Sequence, residues 1–463
     1  MPTTANQKLV VSLLRSRHGT RWKLWDFTLG LLAFCVAFML TPYREQMPQP
    51  YYLFIVGSVF GAMLATCSRL CAVPDPERRH SRYELISSAS LAVILTFLLF
   101  SLLVALVLVR AYGRYIVVIS AGVAWVGMIA PRWVMMAVMK LQPLDVVIYG
   151  AGGNGAMVLE RLRSSPMFNP IGFLDNNEEL HGHQRCGLPV LGSIHGYSAE
   201  RLRELGVDLV VISLVARKLI EANAAALLRL PLHGIEVLNT GAFIETHFKE
   251  VSVEYGCPQW FASSASLPGN PSIFVFKRLL DLGAGTLGLL LSLPFWPLIA
   301  LVIALDSRGP VLFLQTRVGL HGRHFRILKF RTMRVDAEKN GPQWASQKDP
   351  RITRVGSFLR VTRIDEIPQL INVLRGDMTL VGPRPERPEF VADLAKDIPY
   401  YEHRHLVPPG LTGWAQVRYR YGASKEDALR KLQYDLYYVR HLSLMFDIEI
   451  VLRTIPLVMK GSR

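Results

Sequence analysis

Leu144-Asp145-Val146-Val147-Ile148-Tyr149-Gly150-Ala151-Gly152-Gly153-Asn154-Gly155 is the stretch from which the fold of this 463-residue chain is read. An apolar run at 146–149 enters the pattern Gly150-x-Gly152-x-x-Gly155, and 156–162 continues at helical spacing. Strand, glycine turn and helix in that order open a βαβ unit. A second apolar run at 171–174 ends at Asp175, about 20 residues on, where a ribose-binding acid stands in dinucleotide sites. A third, 207–213, follows a helical stretch at 199–205. The alternation predicts a Rossmann-like parallel sheet over 141–250. Its glycines would let a pyrophosphate approach the backbone at a helix N-terminus, or they simply make a tight turn. The residues leave both readings open.

Towards the N-terminus the pattern changes. Residues 24–43, 51–68, 85–109 and 115–131 are apolar runs long enough to span a bilayer, and Asp26 is the only charge in the first. The first run starts too late for a signal peptide and has no cleavage site. Lys8, Arg15, Arg17, Arg21 and Lys23 precede it, and Arg69, Arg78, Arg79 and Arg82 lie between the second and third runs. The opposite links hold only Arg44, Arg110 and Arg114, so residues 1–140 read as a four-helix transmembrane anchor with both ends cytoplasmic. Almost no ionisable residue lies within the spans, which argues against a transport pathway.

Towards the C-terminus, 251–271 ends rich in Gly, Ser and Pro and reads as a linker. A fifth apolar run, 282–305, is interrupted by Ser292, Pro294 and Pro297 and flanked by Lys277, Arg278, Arg308 and Arg317. Proline in mid-run removes a backbone donor and bends a helix. The expectation is a re-entrant helix over 274–305 that breaks at Ser292 and Pro294 and returns to the cytoplasmic side.

The bulk numbers agree with this division. The chain is 51% hydrophobic and 19% charged, with mean hydropathy +0.26, which excludes intrinsic disorder. Lys plus Arg, 52, against Asp plus Glu, 36, leave a net charge of +16 and call for an anionic partner: nucleic acid, a lipid surface or a phosphorylated substrate. The cations interleave with Gly-Pro turns and carboxylates without a nucleic-acid-binding motif, so no nucleic-acid partner is expected. The five cysteines contain no C-x-x-C pair and suit a reducing compartment.

From 277 onward the chemistry-bearing residues cluster. Lys277-Arg278-x-x-Asp281, Lys329-Phe330-Arg331-Thr332-Met333, Asp365-Glu366-x-Pro368-Gln369-Leu370, Gly376-Asp377-Met378-x-Leu380-Val381-Gly382-Pro383-Arg384-Pro385 and Gly410-Leu411-Thr412-Gly413-Trp414-Ala415-Gln416-Val417 follow one another. With these motifs, residues 277–463 resemble, nearly end to end, the bacterial sugar transferases that move a hexose 1-phosphate onto polyprenyl phosphate. The anchor and the Rossmann-like module match the large members of that family, which initiate exopolysaccharide or O-antigen synthesis. The family's helix break is usually a Ser-Pro pair; here Leu293 separates Ser292 from Pro294.

The resemblance implies a mostly α catalytic domain at 272–463 on the cytoplasmic face of the bacterial inner membrane. Its substrates would be a UDP-sugar carrying glucose or galactose, and undecaprenyl phosphate. Asp365 would be the nucleophile, forming a phosphosugar-aspartyl intermediate and releasing UMP, with Glu366 the Mg²⁺ ligand. Adjacent carboxylates on a helix diverge by roughly 100°, so one can attack phosphorus while the other holds a metal. Arg360 and Arg384 would clamp phosphates, with Lys329 and Arg331 adding charge and Pro383 and Pro385 stiffening the loop that presents Arg384. A homo-oligomer is compatible with the sequence.

Two alternatives stand beside this. A membrane-anchored nucleotide-sugar oxidoreductase or dehydratase would need a second glycine fingerprint opening a βαβ unit; after residue 250 that spacing occurs at Gly283-x-Gly285-x-x-Gly288, inside the apolar run and with no β-type run before it. A non-catalytic scaffold of polysaccharide assembly would not need the Asp-Glu and Gly-Pro-Arg-Pro constellation. The final segment, 432–460, reads as either an amphipathic surface helix or a core helix.

Overall fold

The computed structural model describes residues 20–40, 50–71, 73, 82–107, 114–140, 143–214, 217–253, 271–337, 349–419 and 424–459. The expected linker, but for 251–253 and Pro271, lies outside the described residues, as do the cationic flanks Lys8, Arg15, Arg17, Arg44, Arg78, Arg79 and Arg110. The chain divides into two compact units, Met1–Gln142 and Pro143–Arg463.

The first unit holds four helices, α1 (Thr20–Met39), α2 (Pro50–Leu70), α3 (Arg82–Val107) and α4 (Arg114–Lys140). Each contains a window long and apolar enough to cross a membrane. They share a core in which Phe60 and Phe100 meet edge to face with centroids 5.1 Å apart and Phe34 lies 5.8 Å from Phe100. Glycine brings α1 against α2: a Cβ on Gly30 would stand 2.6 Å from the Cα of Gly61. Small residues permit such backbone approach where apolar burial alone does not drive association.

The fourth helix runs through Pro131 to Lys140, past the end expected from the sequence, and so brings Arg132 inside. Arg132 Nη2 donates to Asp26 Oδ1 at 2.9 Å and Oδ2 at 3.0 Å, Ser68 Oγ donates to Asp26 Oδ2 at 2.6 Å, and both charged side chains are buried. The guanidinium also lies 4.7 Å from the centroid of the Trp22 ring. A charge pair buried this way is matched only while both partners are present.

The second unit begins with β1 (Leu144–Tyr149), α5 (Gly153–Arg163), β2 (Phe168–Leu174), β3 (Gln184–Arg185), β4 (Leu188–Gly192), α6 (Ala199–Glu204), β5 (Leu209–Ile212), α7 (Arg217–Ala222), α8 (Ala224–Arg229), β6 (Glu236–Asn239) and α9 (Thr240–Phe248). The sheet order is β3-β4-β2-β1-β5-β6, and every pairing is parallel except β3 with β4. The expected parallel sheet therefore carries one antiparallel edge strand. The exception is a two-residue hairpin whose turn residues, Cys186 (φ 49°) and Gly187 (φ 80°), both adopt positive φ, the geometry that suits the twist of antiparallel strands. The order reverses between β1 and β5, and their carboxyl ends open the cleft at the glycine turn.

The rest of the unit comprises α10 (Pro271–Ser292), α11 (Trp296–Asp306), β7 (Leu312–Val318), β8 (His324–Phe330), α12 (Arg354–Val361), α13 (Gln369–Arg375), β9 (Thr379–Val381), α14 (Pro388–Asp397), β10 (Gly410–Thr412), α15 (Trp414–Arg418), α16 (Lys425–Arg440) and α17 (Leu444–Met459). The long apolar run breaks into α10 and α11 across a 3₁₀ turn, Leu293–Phe295. Its N-terminal motif is pinned to the core. Lys277 Nζ meets Asp447 Oδ2 at 2.6 Å and donates to Val381 O at 2.7 Å, Asp281 accepts from Leu380 N at 2.9 Å, and Arg278 donates to Val373 O and Leu374 O at 2.6 and 2.7 Å. The final segment is neither of the single helices expected. It breaks after Arg440 into a mostly buried α16 and an α17 that leaves Val451, Ile455 and Val458 exposed.

Replacing Arg132 by Met, or Asp26 by Asn, leaves an unmatched buried partner and is expected to destabilise the protein by about 3–5 kcal/mol. The double variant Asp26→Leu/Arg132→Met should recover most of that loss. Unfolding of the purified chain in mixed micelles measures all three.

Candidate active site

Helix α12 ends at Val361 and is capped by Thr362, and Arg363 then turns into the left-handed region at φ 59°. That reversal launches a 3₁₀ turn, Ile364–Glu366, which leads through Pro368 into α13. Asp365 and Glu366 thus sit in a 3₁₀ turn rather than an α-helix, about 120° apart around its axis. Both are buried, at 6% and 8% exposure.

Their surroundings differ. Glu366 Oε1 lies 2.7 Å from Arg384 Nη2 and 3.1 Å from Lys329 Nζ, while Oε2 lies 3.6 Å from Arg363 Nη1. Burial raises the Glu366 carboxyl, but Arg384, Lys329 and Arg363 together outweigh it and hold the group well below the usual carboxylate range. Asp365 Oδ1 is buried with no hydrogen-bond partner among the described residues. Burial and the neighbouring Glu366 charge push its carboxyl above the ordinary Asp value, against Lys329, Arg360 and Arg384. Burial in turn lowers the Lys329 ammonium, partly offset by Glu366. One carboxylate is neutralised by cations; its neighbour keeps an oxygen unspent.

Beside them lies a small cleft lined by Arg317, Ile327, Lys329, Gln369, Arg384, Pro385 and Gly410. Gln369 stands one turn past Asp365, with a buried Nε2 that finds no partner among the described residues. Sequence reasoning placed Lys329, Arg384 and Pro385 here and missed Arg317, Gln369 and Arg363. Gln315-Thr316-Arg317-Val318-Gly319 is a dense cluster that could have flagged Arg317, and Gln369 belongs to the Asp-Glu motif itself. Arg360 acts on Asp365 through its charge, and its Nε donates to Thr332 Oγ1 at 2.9 Å. Arg331 is directed elsewhere, donating to Ser307 O at 2.5 Å and Ser307 Oγ at 3.0 Å. Pro383 O accepts from Gly410 N at 2.9 Å, which fixes the Arg384 loop on β10. Ser292 Oγ donates to Leu289 O at 3.0 Å, and Pro294 lies in the 3₁₀ break.

No cluster of three or more metal-ligating side chains occurs among the described residues. Asp365 and Glu366 could therefore supply two carboxylates at most, a set that suits Mg²⁺ only if substrate phosphate oxygens and water complete the shell.

The glycine turn forms a second cleft, lined by Gly150, Gly152, Gly153, Asn154, Gly155, Asp175, Ser213 and Leu214. Two of its glycines are demanded by the fold: Gly150 has φ 112°, and a Cβ on Gly155 would lie 2.0 Å from Gly150 O. Asp175 spends its carboxylate on the backbone, accepting from Ala151 N at 2.7 Å and Asn177 N at 2.9 Å.

Comparison with known proteins follows this division. The bacterial sugar transferase profile matches residues 272–461, and the PglD N-terminal domain profile matches residues 145–214. A UDP-N-acetylgalactosamine-undecaprenyl-phosphate N-acetylgalactosaminephosphotransferase of Aeromonas hydrophila is 45% identical over 196 residues, 42% of this chain and 46% of the relative. A UDP-glucose:undecaprenyl-phosphate glucose-1-phosphate transferase of Escherichia coli (strain K12) is 44% identical over 183 residues, 39% of either chain. The enzyme of the same name from Caulobacter vibrioides is 46% identical over 195 residues, 41% of this chain and 73% of the relative. The match thus spans less than half the length of the first two relatives and nearly three quarters of the third. The residues that neutralise Glu366 and leave Asp365 unpaired all fall within the matched profile, and the chain belongs to the bacterial sugar transferase family.

Proposed function

We propose that this chain transfers a hexose 1-phosphate from a UDP-sugar to undecaprenyl phosphate, releasing UMP, through a covalent intermediate on Asp365. One observation carries the reading: an unpaired, buried Asp365 oxygen stands beside a carboxylate already neutralised by Arg384, Lys329 and Arg363. A buried carboxylate without a partner is costly, and such groups concentrate at reactive sites.

In the proposed reaction Asp365 attacks the sugar-bearing phosphorus. The new aspartyl O–P bond forms as the P–O bond to UMP breaks. An oxygen of undecaprenyl phosphate then attacks the same phosphorus and releases the Asp365 carboxylate. Arg384, Lys329 and Arg317 line the cleft and would stabilise the charge on the transferred group, as fixed cations do in phosphoryl transfer. Glu366, with Asp365 beside it, would hold Mg²⁺, which supplies further neutralisation of the diphosphate. Gln369, whose amide nitrogen is unspent, would donate to a phosphate oxygen.

The same reading makes α10 and α11 a re-entrant hairpin on the cytoplasmic leaflet of the bacterial inner membrane, in a chain whose α1–α4 form a four-helix transmembrane anchor. Both ends of the apolar run are tied to one body, which supports this arrangement. Lys277 and Asp281 hold β9, whereas Asp306 Oδ2 accepts from Val355 N at 3.1 Å and Ser307 binds Arg331. A crossing helix would set those anchors on opposite sides of the bilayer. Between them Leu287, Leu290, Leu291, Phe295, Leu298 and Leu301 are exposed, as lipid contact requires.

Asp365→Asn is expected to reduce UMP release by about 10³-fold or more, as loss of a nucleophile does. The assay uses the purified full chain, undecaprenyl phosphate and a panel of UDP-glucose, UDP-galactose and UDP-N-acetylgalactosamine. Wild-type turnover by the variant, or no turnover of any donor by the wild type, would overturn the reaction. For the hairpin, a single cysteine at exposed Arg323, in a background lacking the native cysteines, should resist an impermeant maleimide in intact cells and react after permeabilisation. Labelling from outside would contradict it.

A further inference from the structure

The loop that presents Arg384 cannot hold itself. Pro383 and Pro385 have no N–H, so local turn hydrogen bonds are largely closed to it. Its carbonyls are instead taken one by one by other elements. Pro383 O accepts from Gly410 N at 2.9 Å and Glu386 O from Val318 N at 2.9 Å, both backbone bonds to strands or their ends. Pro385 O accepts from Arg317 Nη1 at 3.2 Å. The carbonyl of Arg384 itself accepts from Arg404 Nη2 at 3.0 Å.

Arg404 belongs to none of the motifs that point to the chemistry. It lies in the 3₁₀ stretch Tyr401–Leu406, far along the chain from Arg384, and is 5% exposed. Its Nη1 donates to Tyr401 Oη at 2.8 Å, and its Nη2 lies 2.8 Å from Asp435 Oδ2, a carboxylate 1% exposed in the middle of α16. A continuous line thus runs from α16 through Asp435 and Arg404 to the Arg384 backbone, then through the Arg384 guanidinium to Glu366 at 2.7 Å. A buried charge pair with no contact to the cleft is a poor source of stability, since apolar residues of similar volume often serve as well. Its guanidinium does something an apolar residue cannot: one nitrogen, Nη2, sets a carbonyl relative to a carboxylate while Nη1 is held by Tyr401.

We propose that Arg404, tethered by Asp435, is a positioning residue that sets the placement of Arg384 over the reacting phosphate. This rests on the reading of Arg384 as a phosphate clamp. Arg404 touches neither carboxylate of the site, and acts through the backbone of Arg384.

The test compares steady-state UMP release by the full chain and its variants, using from UDP-glucose, UDP-galactose and UDP-N-acetylgalactosamine the donor that the wild type turns over, with melting temperatures recorded alongside. Arg404→Lys keeps the charge facing Asp435 but loses the fork. It should raise KM for the donor about tenfold, less than the roughly 10²-fold that a misplacement of about 1 Å can cost, with the melting temperature within a few degrees of wild type. Asp435→Asn, which keeps the packing, should shift KM in the same direction by less, and reports even if Arg404→Lys fails to fold. Arg384→Ala should raise KM at least as much, and adding Arg404→Lys to it should cost less than twofold more. An Arg404→Lys or Asp435→Asn protein that loses kcat and melting temperature at unchanged KM is merely structural and overturns the proposal. So does a full additional loss in the Arg384→Ala background. Wild-type KM in Arg384→Ala alone would instead overturn the clamp reading on which the proposal rests.

Discussion

Everything at the candidate site depends on one buried carboxylate being held by three cations. Glu366 is 8% exposed, and an isolated carboxylate at that depth would take up a proton rather than stay charged. Arg384, Lys329 and Arg363 reverse that outcome. They come from three places: the loop between two prolines, the end of an antiparallel hairpin and the left-handed residue that ends α12. Assembling them requires the whole fold of the unit. The consequence falls on the neighbour. Because the cations are committed to Glu366, Asp365 is left with an unpartnered oxygen and a carboxyl pushed above its ordinary value by burial and by Glu366.

The same economy of contacts links the apolar run to the site. Lys277, Arg278 and Asp281 lie on one stretch of α10 and close the backbone ends of α13 and β9. Those two elements carry Gln369 and lead into the Arg384 loop. Any displacement of α10 is therefore felt within a few residues of the cleft. In the proposed reaction this is useful, because the acceptor phosphate must arrive at the depth of the lipid headgroups.

Much of this was legible in the residues. Alternation of apolar runs and turns located β1, β2, β5 and their helices to within a few positions, because strand and helix periods differ so strongly. Ser292 and Pro294 marked the break in the apolar run, since proline there removes a donor whatever the surroundings. The motifs named the carboxylates and most of their cations. What was hidden is of another kind. Asp26 and Arg132 are 106 positions apart, and nothing local announces that they meet. Arg331 looked equivalent to Lys329, but the strand ends between them and its side chain turns to Ser307. Asp175 sits at the position of a ribose-binding acid yet spends its oxygens on Ala151 and Asn177. Trp414, which stands in the Gly410–Val417 motif, is fully buried and donates to Lys249 O at 2.8 Å, tying the last third of the chain to the segment after α9. Long-range partners and side-chain direction are tertiary facts, and a linear pattern carries neither.

The central claim is that Asp365, not Glu366 or water, takes the transferred phosphosugar. Purified chain in lipid nanodiscs lacking undecaprenyl phosphate, mixed with the UDP-sugar it turns over and quenched within seconds, tests this directly. One UMP per chain should be released and one hexose phosphate found by mass spectrometry on the peptide containing Asp365, with Asp365→Asn forming neither. No UMP without the lipid acceptor, or an adduct on any other residue, would contradict the covalent role of Asp365.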